Sequence, residues 1–194
     1  MHLVFDICQG IGVAAAVGVR PFLPALVTGA LAAGNVELHF NHTYYSFLQS
    51  VPFLLAMAVC VAVGLALATR LGAGNRRTVE TVIAAISLVL GALFFAGSLA
   101  RGHYAAWPGL VGGVVCAAVG IAASLPLLRR VRARLDPEAA GALPLLAEGA
   151  AALAAGLSVI APPVGVVVLG LLIWLLLAGR GRDEQKYAGL RILR

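Results

Sequence analysis

An all-α, polytopic membrane bundle of about six spans is the architecture this sequence predicts, on three observations. The chain is 61% hydrophobic and only 11% charged, with a mean hydropathy of +0.99, whereas a soluble domain carries about 25% charged residues. Its apolar residues gather in runs of the roughly 17–25 residues that a helix needs to cross a bilayer. Twelve of its 14 Lys and Arg residues fall in short segments between or after those runs, which is how cytoplasmic loops are marked by the positive-inside rule. The same clustering explains the net charge of +6 and the pI near 9.9 without a nucleic-acid partner, because basic loops face anionic lipid headgroups.

The first apolar run, 3–34, is too long for one straight span and is interrupted at Arg20-Pro21. One tilted, kinked span would leave the N-terminus inside; two half-helices, 3–18 and 21–34, would put both ends outside or form a re-entrant hairpin. The broken pair is favoured because it sets Arg20 at a helix break rather than against lipid. The loop 35–50 has no Lys or Arg and is expected outside. Runs 51–69 and 79–100 read as plain spans, with Thr78 and Glu80 opening the second as helix-start residues. A further span, 105–127, has Tyr104 and Trp107 near its start, where aromatic rings favour the interface. Run 143–178 is again too long and is interrupted at Pro162-Pro163, which supplies a turn between two spans. Asp136-Pro137-Glu138 reads as a helix start, with Asp as N-cap and Pro at the first position, opening a short interfacial segment that leads into the span near Pro144.

Arg70, Arg76 and Arg77, then Arg129, Arg130, Arg132 and Arg134, then Arg180, Arg182, Lys186, Arg191 and Arg194 form three basic segments. All three are expected in the cytoplasm. The chain thus divides into a transmembrane domain, 1–179, and a basic cytoplasmic tail, 180–194, whose mixed basic and apolar residues suit the leaflet surface. The N-terminus lacks the basic n-region of a signal peptide, and the expected location is an inner (plasma) membrane, multi-pass, with the C-terminus cytoplasmic.

Only Asp6, Arg20 and Glu148 are charged residues set well within apolar runs. Such charges pair or line a wet cavity, and a guanidinium cannot escape by losing its proton. Arg20 is therefore expected to pair with Glu148 or with Asp6. Gln9 is a fourth polar neighbour, and Gly18, Pro21 and Pro24 frame the break, each proline removing a donor from the helical ladder. The spacing of Gly18 to Pro24 is faintly repeated in Gly156 to Pro162, and discontinuous helices in corresponding halves of a chain mark transporter-type sites. Small residues four apart recur at Gly10 and Ala14, Ala92 and Ala96, Gly109 and Gly113, and Ala151 and Ala155. They suit close packing within one subunit or a dimer face equally.

Other chemistry lacks a signal. Cys8, Cys60 and Cys116 lie in three different apolar runs at no metal-ligand spacing. His39, His42 and His103 with Glu37 fit no ligand motif and read as solvated loop residues. Asn41-His42-Thr43 fits a glycosylation sequon but means little without a secretory context. No nucleophile elbow, phosphate loop or HExxH string occurs, and Arg101, His103, Asp136 and Glu138 do not gather on one side as a lipid-modifying enzyme would need. No cofactor and no metal are expected.

The strings Ile7-Cys8-Gln9-Gly10-Ile11-Gly12 and Gly18-Val19-Arg20-Pro21-Phe22-Leu23-Pro24 resemble the opening of a family of small bacterial membrane proteins catalogued as domain of unknown function 4126. The ending Tyr187-Ala188-Gly189-Leu190-Arg191-Ile192-Leu193-Arg194 is similar to that family's C-terminus. The resemblance covers essentially the whole chain, with the arginine-proline motif its most specific part, and it implies no activity. From the residues themselves, the leading expectation is a transporter or channel-like protein with a polar intramembrane site around Arg20. There Arg20 binds a small anionic solute or holds Glu148. The alternative is a structural or assembly protein in which Arg20 only locks helices. The lipid bilayer is the expected partner, with a homo-oligomer at even odds.

Overall fold

A computed structural model of the protein describes the backbone of residues 2–38, 40–41, 43–70 and 73–190, and the side chains of 3–38, 40–41, 43–67, 78–136 and 139–179. Among these residues there are seven α-helices and no strand: α1 (His2–Val19), α2 (Phe22–Ala33), α3 (Val51–Arg70), α4 (Ala73–Arg101), α5 (Trp107–Arg132), α6 (Pro137–Ile160) and α7 (Pro163–Leu190). A single 3-10 turn, Ser46–Gln49, precedes α3. Three segments are long and apolar enough to cross a membrane, Thr78–Arg101, Trp107–Arg132 and Ala139–Ile160. The apolar parts of the other four, Leu3–Val19, Phe22–Ala33, Val51–Leu67 and Pro163–Gly179, are shorter.

Both long apolar runs break at their prolines, and both breaks are hairpin tips. Asp6 in the second turn of α1 and Glu37 just beyond α2 meet one guanidinium, that of Arg101. The two arms therefore begin and end at the same end of the bundle, and the tip at Arg20-Pro21 points to the other. The α6–α7 hairpin runs the opposite way. Its tip at Ala161-Pro162 lies by Gln9, while Gly179, well along α7, reaches Arg130 at the far end of α5. Helix α6 packs against both α1 and α2, so the two hairpins interlock with their tips at opposite ends.

Small side chains set the helix spacing. A Cβ on Gly113 of α5 would fall 2.4 Å from the Gly91 carbonyl oxygen of α4, and one on Gly109 would fall 2.7 Å from Ala96 Cα. The stripes Ala92/Ala96 and Gly109/Gly113 thus pack on each other within one chain, where dispersion contacts replace the hydrophobic drive that lipid cannot supply. Gly12 and Gly165 likewise bring α1 and α7 together, since a Cβ on Gly165 would stand 2.2 Å from the Cys8 carbonyl oxygen.

The segment between α2 and α3, expected to face outside, is exposed over half of its described residues and anchored in the bundle by three. Leu38, Phe40 and Leu48 are fully buried, and Phe40 and Phe53 flank Phe94 with ring centroids 6.2 and 6.3 Å away. The Phe40 backbone N–H donates to Gln49 Oε1 at 2.8 Å, which satisfies a group that burial would leave bare.

Three sequence expectations shift. Helix α4 begins at Ala73, ahead of Thr78, so Glu80 lies two turns inside it and pairs with Arg129 of α5 instead of opening the helix. Asp136 does precede Pro137 as the N-cap residue, in extended backbone, but no side-chain cap bond forms, and α6 runs unbroken through Pro144 rather than starting as a separate interfacial piece. Helix α7 continues through the residues expected as a tail up to Leu190; the last four residues lie outside the described ones.

Candidate functional site

The break between α1 and α2 is where backbone groups lose their helical partners. The Arg20 N–H still bonds the Ala16 carbonyl at 3.2 Å, closing α1. Pro21 then ends the ladder, having no N–H of its own. Pro24 falls in the first turn of α2, where its missing donor has no intrahelical acceptor to lose. It fits there without breaking anything, unlike the sequence expectation that both prolines disrupt the ladder. Pro21 and Pro24 are both fully buried.

In that first turn the Leu23 N–H needs an acceptor, and Glu148 of α6 supplies it: Oε2 accepts from Leu23 N at 3.1 Å. A carboxylate at a helix N-terminus is also favoured by the helix dipole. Glu148 is 6% exposed, and the Arg20 charge lies within electrostatic range of it. The expected direct ion pair does not form, however. The two ion pairs among the described residues are Arg101–Asp6 and Arg129–Glu80. Arg20 and Glu148 sit at the same tip, coupled through space, with the carboxylate spent on the backbone.

The other hairpin shows the mirror of this arrangement. Pro163 lacks the N–H that would bond the Val159 carbonyl, and Gln9 of α1 fills that place, its Nε2 donating to Val159 O at 3.1 Å. Gln9 is therefore a structural cap at the opposite end of the bundle from Arg20. Asp6 also lies at that end, 1% exposed, with Arg101 Nη2 donating to its Oδ1 at 2.5 Å. The pairing of Asp6 with Arg20 is thus corrected: the two residues lie at opposite ends of α1. Arg101 also donates to the Glu37 carbonyl, and Glu37 adopts a left-handed backbone with φ 53°. A small cavity of about 300 Å³, lined by Gln9, Glu37, Arg101 and Pro162 among others, occupies this end.

A larger cavity, about 660 Å³, opens from Arg20 toward the Arg129 end. This is within the size range of small-molecule sites. It lies between α3 on one side and α4 and α5 on the other, floored by Gly18, Val19 and Arg20 at the hairpin tip. Its walls are chiefly aliphatic, Val63, Val82, Ile83, Leu125 and Leu128 among them. Ser87 and Ser124 are polar but spend their hydroxyls on the helical carbonyls of Ile83 and Ile121. The Arg20 Nε is buried and has no hydrogen-bond partner, a costly state for a charged donor. Gly18 lines the cavity, but its main constraint is packing: a Cβ there would fall 2.3 Å from the Ala117 carbonyl oxygen of α5.

Of the residues expected at one site, the structure brings together Arg20, Glu148, Pro21, Pro24 and Gly18, and sends Asp6 and Gln9 to the opposite end. Sequence reasoning missed Arg101 as the partner of Asp6, because a residue at a span's end reads as water-exposed. Its signal was the leftover count: Arg20 and Arg101 alone remained once the basic loops were explained. It also missed Glu80 and Arg129 at the mouth of the large cavity. His39 and His42 lie outside the described residues, and no group of His, Cys, Asp and Glu suited to a metal ion occurs among the described ones.

Neither the curated proteins nor the solved structures contain a match to this chain. The model of the family described as Domain of unknown function (DUF4126) matches residues 7–180, and the chain belongs to that family.

Proposed function

We propose that this protein is a small integral membrane transporter or channel-like protein whose solute site is the cavity floored by Arg20. The observation that carries this reading is the state of Arg20. Its Nε is buried and unpartnered, and its side chain borders a cavity of about 660 Å³. A guanidinium used only to lock helices would be dry and fully paired. An intramembrane cation open to a cavity instead suits an anionic solute. In this reading the chain is multi-pass in an inner (plasma) membrane with about six spans, the Arg129 end and the C-terminus cytoplasmic, as the basic residues at that end favour. The hairpin tips lie within the bilayer or near its faces, and self-association into a homo-oligomer uses the exposed apolar helix faces.

The test is solute flux in proteoliposomes holding the wild-type chain, Arg20→Ala and Arg20→Lys. Wild type is expected to pass an anionic solute, Arg20→Ala to lose about tenfold or more of that flux, and Arg20→Lys to fall between. Flux equal in all three, with normal folding, removes Arg20 from transport.

A structural or assembly role is the second reading, and the Asp6–Arg101 ion pair favours it, since that pair does tie α1 to α4. On that reading no flux appears, and Arg20→Ala lowers only thermal stability.

A further inference from the structure

The composition of the large cavity narrows what it can hold. Three basic residues, Arg20, Arg129 and Arg132, line it against one acidic residue, Glu80, and Glu80 is paired with Arg129. A cation is therefore disfavoured. A small hydrated anion is also poorly served. Between Arg20 at the floor and the Arg129 mouth, about 12 Å along α5 from Ile121 to Arg129, the wall is mostly aliphatic. Stripping water from a bare anion along that path is costly.

The cavity is also open to the side. Among the described residues, helix α3 packs on α2 and touches α6 and the 3-10 turn, but has no comparable contact with α4 or α5. The cavity fills the gap between them, and Val59, Val63 and Val82 on its wall are half or more exposed. In a bilayer, such a gap is filled by hydrocarbon chains. An aliphatic chain entering from the bilayer exchanges one apolar surrounding for another at little cost. An acidic head carried in with it would meet the charge of Arg20, which lines the cavity floor and forms no ion pair among the described residues.

We propose that the cavity binds a single-chain amphiphile with an acidic head taken from the bilayer, its head on Arg20 and its aliphatic body along α4 and α5. This rests on the reading of the Arg20 cavity as a solute site and names the chemistry of the solute. Aliphatic walls hold the body, and Arg20 selects the charge.

The probe is radiolabelled dodecanoate, bound to the full chain in phosphatidylcholine nanodiscs, with dodecanol, acetate and inorganic phosphate as competitors. Saturable binding is expected, displaced by unlabelled dodecanoate but not by dodecanol, acetate or phosphate. Arg20→Ala should weaken it about tenfold to a hundredfold, while Arg20→Lys keeps most of it. Leu128→Trp, which fills the body of the cavity and leaves Arg20 in place, should weaken it as strongly. Either of two results overturns the proposal: binding equal in wild type and folded Arg20→Ala, or displacement by acetate or phosphate as effective as by dodecanoate. The outcome separates from that of the transport reading. Anion flux without dodecanoate binding sinks this proposal alone, and binding without any flux sinks transport alone.

Discussion

Glu148 and Leu23 lie 125 positions apart in the chain, yet the carboxylate of one accepts the backbone N–H of the other at 3.1 Å across a proline break. The bond has a counterpart at the other break, where Gln9 donates to Val159. Each hairpin thus closes the open backbone of the other, an acceptor offered to a helix start and a donor offered to a helix end. Backbone groups in lipid must be satisfied within the protein, and these two side chains do so at the two proline breaks, of which Pro21 is buried and Pro163 exposed.

Replacing Glu148 tests the first of these bonds. Glu148→Ala leaves the Leu23 N–H without its acceptor and is expected to cost about 1–3 kcal/mol, read as a lower thermal unfolding midpoint in detergent. Glu148→Gln keeps an acceptor oxygen and should cost clearly less. Equal losses for the two would mean that the charge near Arg20, and not the cap, is what matters.

The Gln9 cap predicts a similar pattern at the other tip. Gln9→Leu matches the side chain's bulk but removes the donor to Val159 O, so a loss of about 1–3 kcal/mol is expected. Hydrogen exchange at residues 156–164 should rise with it. Unchanged exchange there would show that the bond does not hold the break closed.

Arg101 ties α4 to α1 through Asp6. Its side chain is 22% exposed and that of Asp6 is 2% exposed, so the pair sits between a surface bridge and a buried one. Arg101→Ala strands a buried carboxylate and should cost about 1–3 kcal/mol. Adding Asp6→Asn should recover part of that loss. A double variant worse than the sum of the two singles contradicts the pairing.

The glycine stripes give a pair of opposite outcomes. Gly113→Ala drives a Cβ to 2.4 Å from the Gly91 carbonyl oxygen and should destabilise by about 1–3 kcal/mol through overpacking. Gly170→Ala, with nothing within 4 Å of its new Cβ, should be neutral or stabilising by up to about 1 kcal/mol, as alanine suits a helix interior better. Matching effects from the two would mean that α4 and α5 are not held at that spacing.

Much of the architecture was legible because lipid imposes simple rules. Run length and the scarcity of charge announce helical spans, and prolines within overlong runs announce breaks, so the divisions at Arg20-Pro21 and Pro162-Pro163 appear where the residues place them. Helix ends were less legible. Glu80 looked like a helix-start acid, but α4 extends a turn and a half further back, because polarity alone does not end a helix. The core residues that anchor segment 35–50, Leu38, Phe40 and Leu48, are too few and too scattered among exposed neighbours to show a period.

The site divides the same way. The cost of a charge in hydrocarbon marked Arg20, Glu148 and Asp6 without any structure, since that cost depends only on the residue and the run around it. Which charge meets which is a different matter, because α1 has two ends and an extended run does not say which partner reaches which end. Only the packed hairpins decided that Asp6 meets Arg101, that Glu148 caps Leu23 instead of pairing directly, and that Arg20 is left bordering a cavity. Residue chemistry determines what must be satisfied, and the meeting of segments far apart in the chain determines by what.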